Sequence, residues 1–497
     1  MKEIVSKEYM HAMDEKACKD RSINSYTLMK EAGTELAKTL DKTVLRPGDV
    51  KTVLVVAGIG HNGGDALVMA DYLDDRYLVS VAICGHVDKM HPDVKAVYER
   101  LVDKKDIHCL EEATDCEKLP STDVIIDGVF GLGIARPVSG IYHSVIEWMN
   151  QSSASVVSID IPSGLDANSG KIWGISVQAD YTLVVQALKY GHVMYQGKDN
   201  CGKIITVDVG IPIESNTDVC IEPHDYHQSL PLRKAYSNKY DYGSLATFGG
   251  NIGMLGAPHL TAYAALRAGI GLSSLYVRES VYPNVSMLYP EIMVAPCKNV
   301  KHCLHKKSVL VFGPGLGKDD SSLLKTLQAL IHHPAPLIID ADGLYYFNQL
   351  KDNVLIDKPI IITPHSGEMA QFFDITSDMF EANWTHYLQG FLEKYPVTVL
   401  LKGPTMVIAN SKAMHFVDEA GPELARGGSG DVLGGIIAAF IPKVADPFEA
   451  TTLAALVLAK AGKHAKVLKG EEGIIATDLI EALPEVIKPL KVKCDMI

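Results

Sequence analysis

Apolar positions along the chain fall into two rhythms that take turns. Short continuous apolar runs such as "KTVLVVAG", "YLVSVAIC", "DVIIDGVFG" and "ASVVSIDIPSG" alternate with segments such as "GDALVMADYLDD" and "VKAVYERLVD". In the latter the apolar positions recur at helical spacing. The first kind predicts buried strands, the second amphipathic helices; "DYTLVVQA" and "KIITVDVG" add two more strands. Strands that read as unbroken apolar runs between helices imply a mainly parallel sheet covered on both faces. The first fifty residues read as helices, with Leu28, Ala32, Leu36 and Leu40 on one face.

The rhythm fails over residues 213 to 234, where proline, asparagine and mixed charge replace it, and a linker is expected there. Beyond it the alternation resumes with "SLATFGG", the helix "HLTAYAALRAG", "SVLVFGPGLG", "APLIIDADGL" and "KPIIITPHSGE". "PVTVLLKGPTMVIA" adds two strands, and the helix "PFEATTLAALVLAKAGKHA" follows. The expected organisation is α/β throughout: a Rossmann-like domain over residues 1–212 and a second three-layer domain over 235–497.

Composition narrows the functions. A net charge of −13 argues against a nucleic-acid partner, because phosphate contacts require clustered Lys and Arg. No apolar run approaches the roughly 18 residues of a membrane span, and the start lacks the apolar core of a signal peptide. The nine cysteines include no Cys-x-x-Cys, which predicts reduced thiols and a cytoplasmic chain. Cys297, His302, Cys303 and His305 match no zinc spacing and read as a lysine-rich surface loop.

In the first domain, Gly58, Gly60 and Gly63 spell a Gly-x-Gly-x-x-Gly between a strand and a helix. A dehydrogenase then needs an acid at the end of the next strand; the nearest is Asp88, already past Gly85. Other strands end in "DGVFGLGIARPVSG" and "SIDIPSGLDANSG". Because parallel strands end on one edge, Asn62, Asp65, Asp127, Gly131, Gly133, Asp160 and Ser163 can converge there.

"GHNGGDA", "DGVFGLGIARP" and "SIDIPSG" resemble, in that order, the motifs of NAD(P)H-hydrate epimerases of the YjeF N-terminal type. Ala66 stands where that family usually has glycine. The resemblance implies a potassium ion on Asn62, Asp127 and Ser163. It also implies substrate contacts at His61, Asn62, Gly63, Gly64, Asp65, Gly131, Leu132, Gly133, Ile134, Ala135, Arg136, Pro137 and Asp160. A hydrated nicotinamide is a carbinolamine; losing its hydroxyl gives an iminium-like cation, and re-addition from the other face inverts the centre. Carboxylates suit both steps, so Asp160 is the expected acid/base and Asp127 its electrostatic partner.

In the second domain, "GPGLG", "TPHSGE" and "LKGPT" each follow a strand, and "ARGGSGDVLGG" enters a helix. A glycine turn at a helix N-terminus collects unpaired N–H groups and suits a phosphate. Gly428-Ser429-Gly430-Asp431 resembles the signature of ribokinase-like small-molecule kinases, in which the Asp deprotonates the acceptor hydroxyl. With "NKYDYGSLATFGGNIGMLGAPHLTAYAALRAGIGL" and "DADGL" the ordered set is similar to NAD(P)H-hydrate dehydratases over about residues 235 to 485, with Asn251 in place of a frequent Ser. That resemblance implies hydrate contacts at Gly317, His365 and Asp431. The nucleotide would meet Lys402, Gly403, Pro404, Thr405, Met406, Gly428, Ser429 and Gly430. Read alone, His365 is more often a structural loop residue than a ligand contact. Asp431 would be the base for phosphorylating the hydrate, with ADP (or ATP) as donor and magnesium on its phosphates.

The two halves suggest one repair enzyme acting on the hydrates NADHX and NADPHX, expected as a homo-oligomer with "HLTAYAALRAG" between subunits. The rival reading is a ribokinase-like kinase fused to a ligand-binding or interaction module.

Overall fold

The computed structural model describes residues 1–45, 52–73, 76–214, 216–226, 229–285 and 290–490. They form two compact units, Lys2–Asn216 and Thr217–Ile497.

The first unit opens on a strand, not a helix. β1 (Lys2–Val5) precedes α1 (Lys7–Asp20), whose N-cap Ser6 accepts the Tyr9 N–H, and α2 (Ser25–Leu40) follows. Then come β2 (Thr52–Ala57), α3 (His61–Leu73), β3 (Leu78–Cys84), α4 (Pro92–Leu101), β4 (Asp106–Leu110) and β5 (Val124–Gly128). α5 (Ile141–Gln151), β6 (Ser155–Ile159), β7 (Tyr181–Val185), β8 (Leu188–Lys189) and β9 (Lys203–Val207) complete it. The main sheet runs β4–β3–β2–β5–β6–β7–β9, all parallel. Successive strands first step one way from β2 and then, from β5, the other way. The crevice between the ends of β2 and β5 is therefore the switch point of a doubly wound sheet. α2 covers one face beside α3, burying Leu28, Ala32, Leu36 and Leu40 as their spacing predicts. β1 stands apart from this sheet and pairs in parallel with β8, Val5 opposite Lys189.

The second unit repeats the design. Its strands are β10 (Val219–Cys220), β11 (Ser244–Phe248), β12 (Leu272–Val277), β13 (Met293–Pro296), β14 (Val309–Phe312), β15 (Leu337–Ile339), β16 (Ile360–Ile362), β17 (Thr398–Leu401), β18 (Met406–Ala409) and β19 (Met414–Val417). They lie in the order β13–β12–β11–β14–β15–β16–β17–β18–β19–β10. Only β18 is antiparallel to its neighbours, so β14 to β17 all end on one edge. β10 lies inside the stretch that reads as a linker; Val219 and Cys220 pair with His415 and Phe416, so that stretch contributes to the second unit. Under the sheet the helix Ser429–Phe440 buries nearly every residue, and the helix Gly256–Arg267 packs across it with Thr261 and Ala264 against Gly435. The helix expected between subunits thus spends its small-residue face inside its own unit.

The Cys297 region is not a plain surface loop. Val300–Cys303 forms a helical turn, and the buried Cys303 lies with Sγ 3.5 Å from Cys297 Sγ. Among the described residues no helix is long and apolar enough to cross a membrane.

Candidate active sites

At the switch point of the first sheet lies a cavity of about 820 Å³. Its wall includes His61, Asn62 and Asp65 from the start of α3, the whole stretch 131–137 after β5, and Asp160 after β6. Two elements that carry no motif complete it: α1 supplies Met10, His11 and Asp14, and β8 supplies Lys189.

Asp160 is the most constrained residue of this wall. Its φ of +61° is unusual for a side chain other than glycine. The Ile161 N–H donates to Ile159 O at 2.7 Å across it, closing a γ-turn. Such strain persists only where the surroundings over-determine it, and here the N–H, the carbonyl and one carboxylate oxygen of Asp160 are all engaged. Its N–H donates to Leu183 O at 2.8 Å, and its carbonyl accepts from His192 Nε2 at 2.7 Å. Oδ1 takes the Lys189 ammonium at 2.5 Å and the Val185 N–H at 3.1 Å. The Lys189 N–H donates to His192 Nδ1 at 2.9 Å, which places the ring proton on Nε2. Burial, reinforced by Lys189, lowers the His192 pKa to about 4, so this donor stays neutral.

Two further carboxyls share the cavity. Burial, then Asp160 and Asp14, push Asp65 well above the usual range, and its Oδ1 is sealed with no hydrogen-bond partner. Burial likewise raises Asp14 to about 7, with Lys189 opposing and Asp160 assisting.

Asp127 departs from its expected part as a catalytic group. It is fully buried and does not line the cavity. Its carboxylate accepts from Ser158 Oγ at 2.8 Å, Ser163 N–H at 2.9 Å and Ser163 Oγ at 2.5 Å. Burial outweighs these bonds and raises its pKa. Ser163 Oγ also lies 2.8 Å from the Phe130 N–H, and Asn62 Nδ2 donates to Phe130 O at 3.0 Å. Asn62, Asp127, Ser163 and the Phe130 carbonyl therefore form one oxygen-rich knot that reaches from the cavity wall into the core.

Gly63 and Gly64 do not reach the cavity either. A Cβ on Gly63 would stand 1.9 Å from Gly58 O, and one on Gly64 would stand 2.2 Å from Met29 Sδ. They are small because a backbone turn and α2 press on them. Ala66 is accommodated because its methyl faces Gly128, where a Cβ would come within 2.5 Å.

In the second unit the predicted residues gather at the ends of β14 to β17. Lys402, just past β17, bonds Asp340 at 2.9 Å and lies 3.6 Å from Glu368. Burial would lower its pKa, but the Asp340 and Glu368 carboxylates outweigh that and raise it. A Cβ on Gly430 would be 3.5 Å from Lys402 Nζ, so this ammonium faces the N-terminus of the Ser429–Phe440 helix. Gly428 caps that helix with φ +94°, a left-handed conformation natural to glycine. Ser429 Oγ, next in line, is buried without a partner. Asp431 lies in the first turn; burial and then Asp340 raise its pKa to about 7, against the pull of Lys402.

His365 is an N-cap: its Nδ1 accepts the Gly367 and Glu368 N–H groups at 3.0 and 3.2 Å, leaving an exposed Nε2. Gly317, with φ +73°, donates to Asp342 at 2.8 Å and is packed against Asn251, whose Nδ2 would be 2.6 Å from a Cβ. Gly403 and Pro404 occupy the turn before β18. Two side chains of the expected nucleotide set point elsewhere. Thr405 is buried and its hydroxyl bonds Asp418 at 2.8 Å, while Met406 belongs to the hydrophobic core. Only their backbones remain for a ligand.

Residues 245–485 match the family described as NAD(P)H-hydrate dehydratase, and residues 25–191 match the YjeF-related protein N-terminus. The bifunctional NAD(P)H-hydrate repair enzyme of Thermofilum pendens is 30% identical, covering 96% of this chain and 95% of its own. The enzyme of that name from Escherichia coli is also 30% identical, covering 93% and 92%. A ribokinase-like superfamily protein of Enterococcus faecalis superimposes with a TM-score of 0.50 at 23% identity, over 57% of this chain and 99% of its own. That likeness gives the second unit its fold. The near-complete overlap with two-headed relatives gives more: this chain belongs to the family of bifunctional NAD(P)H-hydrate repair enzymes.

Proposed function

We propose that the Asp160 cavity epimerises hydrated NADH and NADPH, and that the Asp431 site returns the S hydrate to NAD(P)H at the expense of ADP. The observation that carries the reading is the pairing of carboxyls of unlike environment in each site.

In the cavity, Asp160, ion-paired with Lys189, faces the substrate as the anion that steadies the iminium-like cation. Burial favours the protonated form of both Asp65 and Asp14, and Asp14 is pushed up to about 7. One of them protonates the departing hydroxyl, which leaves as water. Water then adds to the opposite face and returns the proton. The acid/base part expected of Asp160 thus moves to its neighbours, while Asp160 keeps contact with the reacting centre. His61 and residues 131–137 line the way in. The Asn62, Asp127, Ser163 and Phe130 oxygens suit a hard cation, so these residues would hold potassium. When bound, the ion neutralises Asp127 and fixes the turn that shapes the wall.

In the second site Asp431 takes the proton of the hydrate's hydroxyl; its pKa of about 7 is matched to such a base. The freed oxygen attacks the terminal phosphorus of ADP, entering as its magnesium complex, and AMP leaves. The ring nitrogen then expels phosphate, and loss of the adjacent ring proton to solvent restores the reduced nicotinamide. Lys402 and the Gly428–Gly430 N–H groups receive the phosphates, with Ser429 Oγ as a further donor. Gly317 and His365 Nε2 border the hydrate. The nine cysteines without a Cys-x-x-Cys support a cytoplasmic place for the enzyme.

Incubating the chain with ADP and mixed NADHX epimers tests the reading. Recovery of NADH absorbance with release of AMP and phosphate is expected, and its loss in Asp431→Ala while ADP still binds. Accumulation of a stable phosphorylated alcohol would instead make the second unit a kinase.

A further inference from the structure

His61 at the start of α3, His91 at the N-cap of α4 and Asp93 in the first turn of α4 offer three ligand atoms that all lie within 4.8 Å of one another. From this convergence we infer that the rim of the first unit's cavity carries a binding site for a divalent transition metal of the zinc and cobalt class. The site is separate from the oxygen knot at Asn62, and it does not depend on the catalytic reading above.

The geometry is close to what coordination needs. His61 Nε2 lies 3.9 Å and His91 Nδ1 3.8 Å from Asp93 Oδ2. Ligands about 2.0–2.1 Å from a tetrahedral zinc stand roughly 3.3 Å apart, so side-chain rotations that move the ligand atoms by about 0.5–1.5 Å close the set. The two rings already face each other, with centroids 4.1 Å apart. Among the described residues, the His91 Nδ1 lone pair is engaged only by the Asp93 N–H at 3.3 Å.

The frame is built before any metal arrives. The His91 N–H donates to Ile59 O at 2.9 Å, tying the cap of α4 to the loop that launches α3 two residues later. Ser25 Oγ donates to Asp93 Oδ2 at 2.5 Å and orients the carboxylate. An outer partner of this kind commonly accompanies a metal ligand. Two helix N-termini disfavour a cation, so the carboxylate is essential rather than optional. Two imidazoles and one carboxylate prefer zinc, cobalt or nickel to magnesium or calcium. Three protein ligands leave one position open, and His61 is itself part of the cavity wall.

Cobalt(II) titration of the full chain, followed by visible absorption and calorimetry, tests the site. The wild type should take up one equivalent with a d–d spectrum free of near-ultraviolet thiolate bands, undisturbed by excess magnesium. His91→Asn removes an imidazole but keeps a favoured N-cap residue; it should weaken this binding at least tenfold, leaving epimerisation in chelator unchanged. Asp93→Asn should weaken it likewise. No saturable cobalt spectrum in the wild type, or equal affinity in His91→Asn, overturns the inference.

Discussion

A carboxylate with a left-handed backbone stays in place only if its neighbours hold it, and Asp160 is held through backbone and side chain at once. Lys189 is fully buried and gives Asp160 its only side-chain counter-charge among the described residues. Breaking a buried pair from one side costs about 3–5 kcal/mol, so Lys189→Met should destabilise the first unit by that order. Denaturant unfolding followed on that unit measures it; an unchanged midpoint would show that Lys189 is not the clamp. Asp431 presents the opposite conflict. Its folded pKa of about 7 lies above the 3.8 of an ordinary aspartate. The ionised base is competent, so dehydration should rise as pH increases through about 7. The same shift favours the folded state only while the proton is bound: its contribution is complete below 3.8 and is lost as pH rises through about 7. Asp431→Asn should therefore lose about 10²–10⁴ in rate yet melt higher than wild type at pH 8, with the difference vanishing near pH 4. A flat pH–rate profile across this range would remove Asp431 from the role of base.

Elements act here mainly as rulers. The turn from β2 into α3 works because Gly63 lets the chain pass Gly58 O at a distance no Cβ tolerates. Gly63→Ala should cost about 1–3 kcal/mol as an overpacked site, lowering the melting of the first unit and leaving the second unit's transition in place. Coincident shifts in both transitions would mean that the damage is not local. β1 is the element whose purpose is least visible by itself. Two residues of pairing with β8 set Val5 against Lys189, and the following helix brings Asp14 to the same cavity.

At the scale of the whole chain, two doubly wound units carry successive steps of one repair. With mixed epimers and ADP, the wild type should restore NADH in a single phase. Asp160→Asn should dehydrate the S fraction at the normal rate and then stall at the slow uncatalysed epimerisation. A single fast phase in that variant would take epimerisation away from the cavity. Replacing potassium by a bulky organic cation should split the wild-type recovery into two phases and slow only the second, since the oxygen knot lies in the first unit. Equal slowing of both phases would move the ion elsewhere.

Much of this was legible in the order of residues. Strand and helix rhythms follow from local burial, and the acids Asp160 and Asp431 stand beside turns whose chemistry is local. What only the tertiary structure decided is which groups meet. Asp14 and Lys189 are far apart in sequence, in segments with no motif, and they reach one cavity through the β1–β8 pairing. Asp340 and Glu368 meet Lys402 because β15, β16 and β17 end on the same edge. Gly63, Gly64, Thr405 and Met406 stand within motifs yet turn their side chains, or their lack of them, to packing and to bonds within the fold. A motif records which residues a site cannot change. Whether a residue is kept for the ligand or for the turn that carries it depends on burial and on hydrogen bonds between distant segments, and those exist only once the chain has folded.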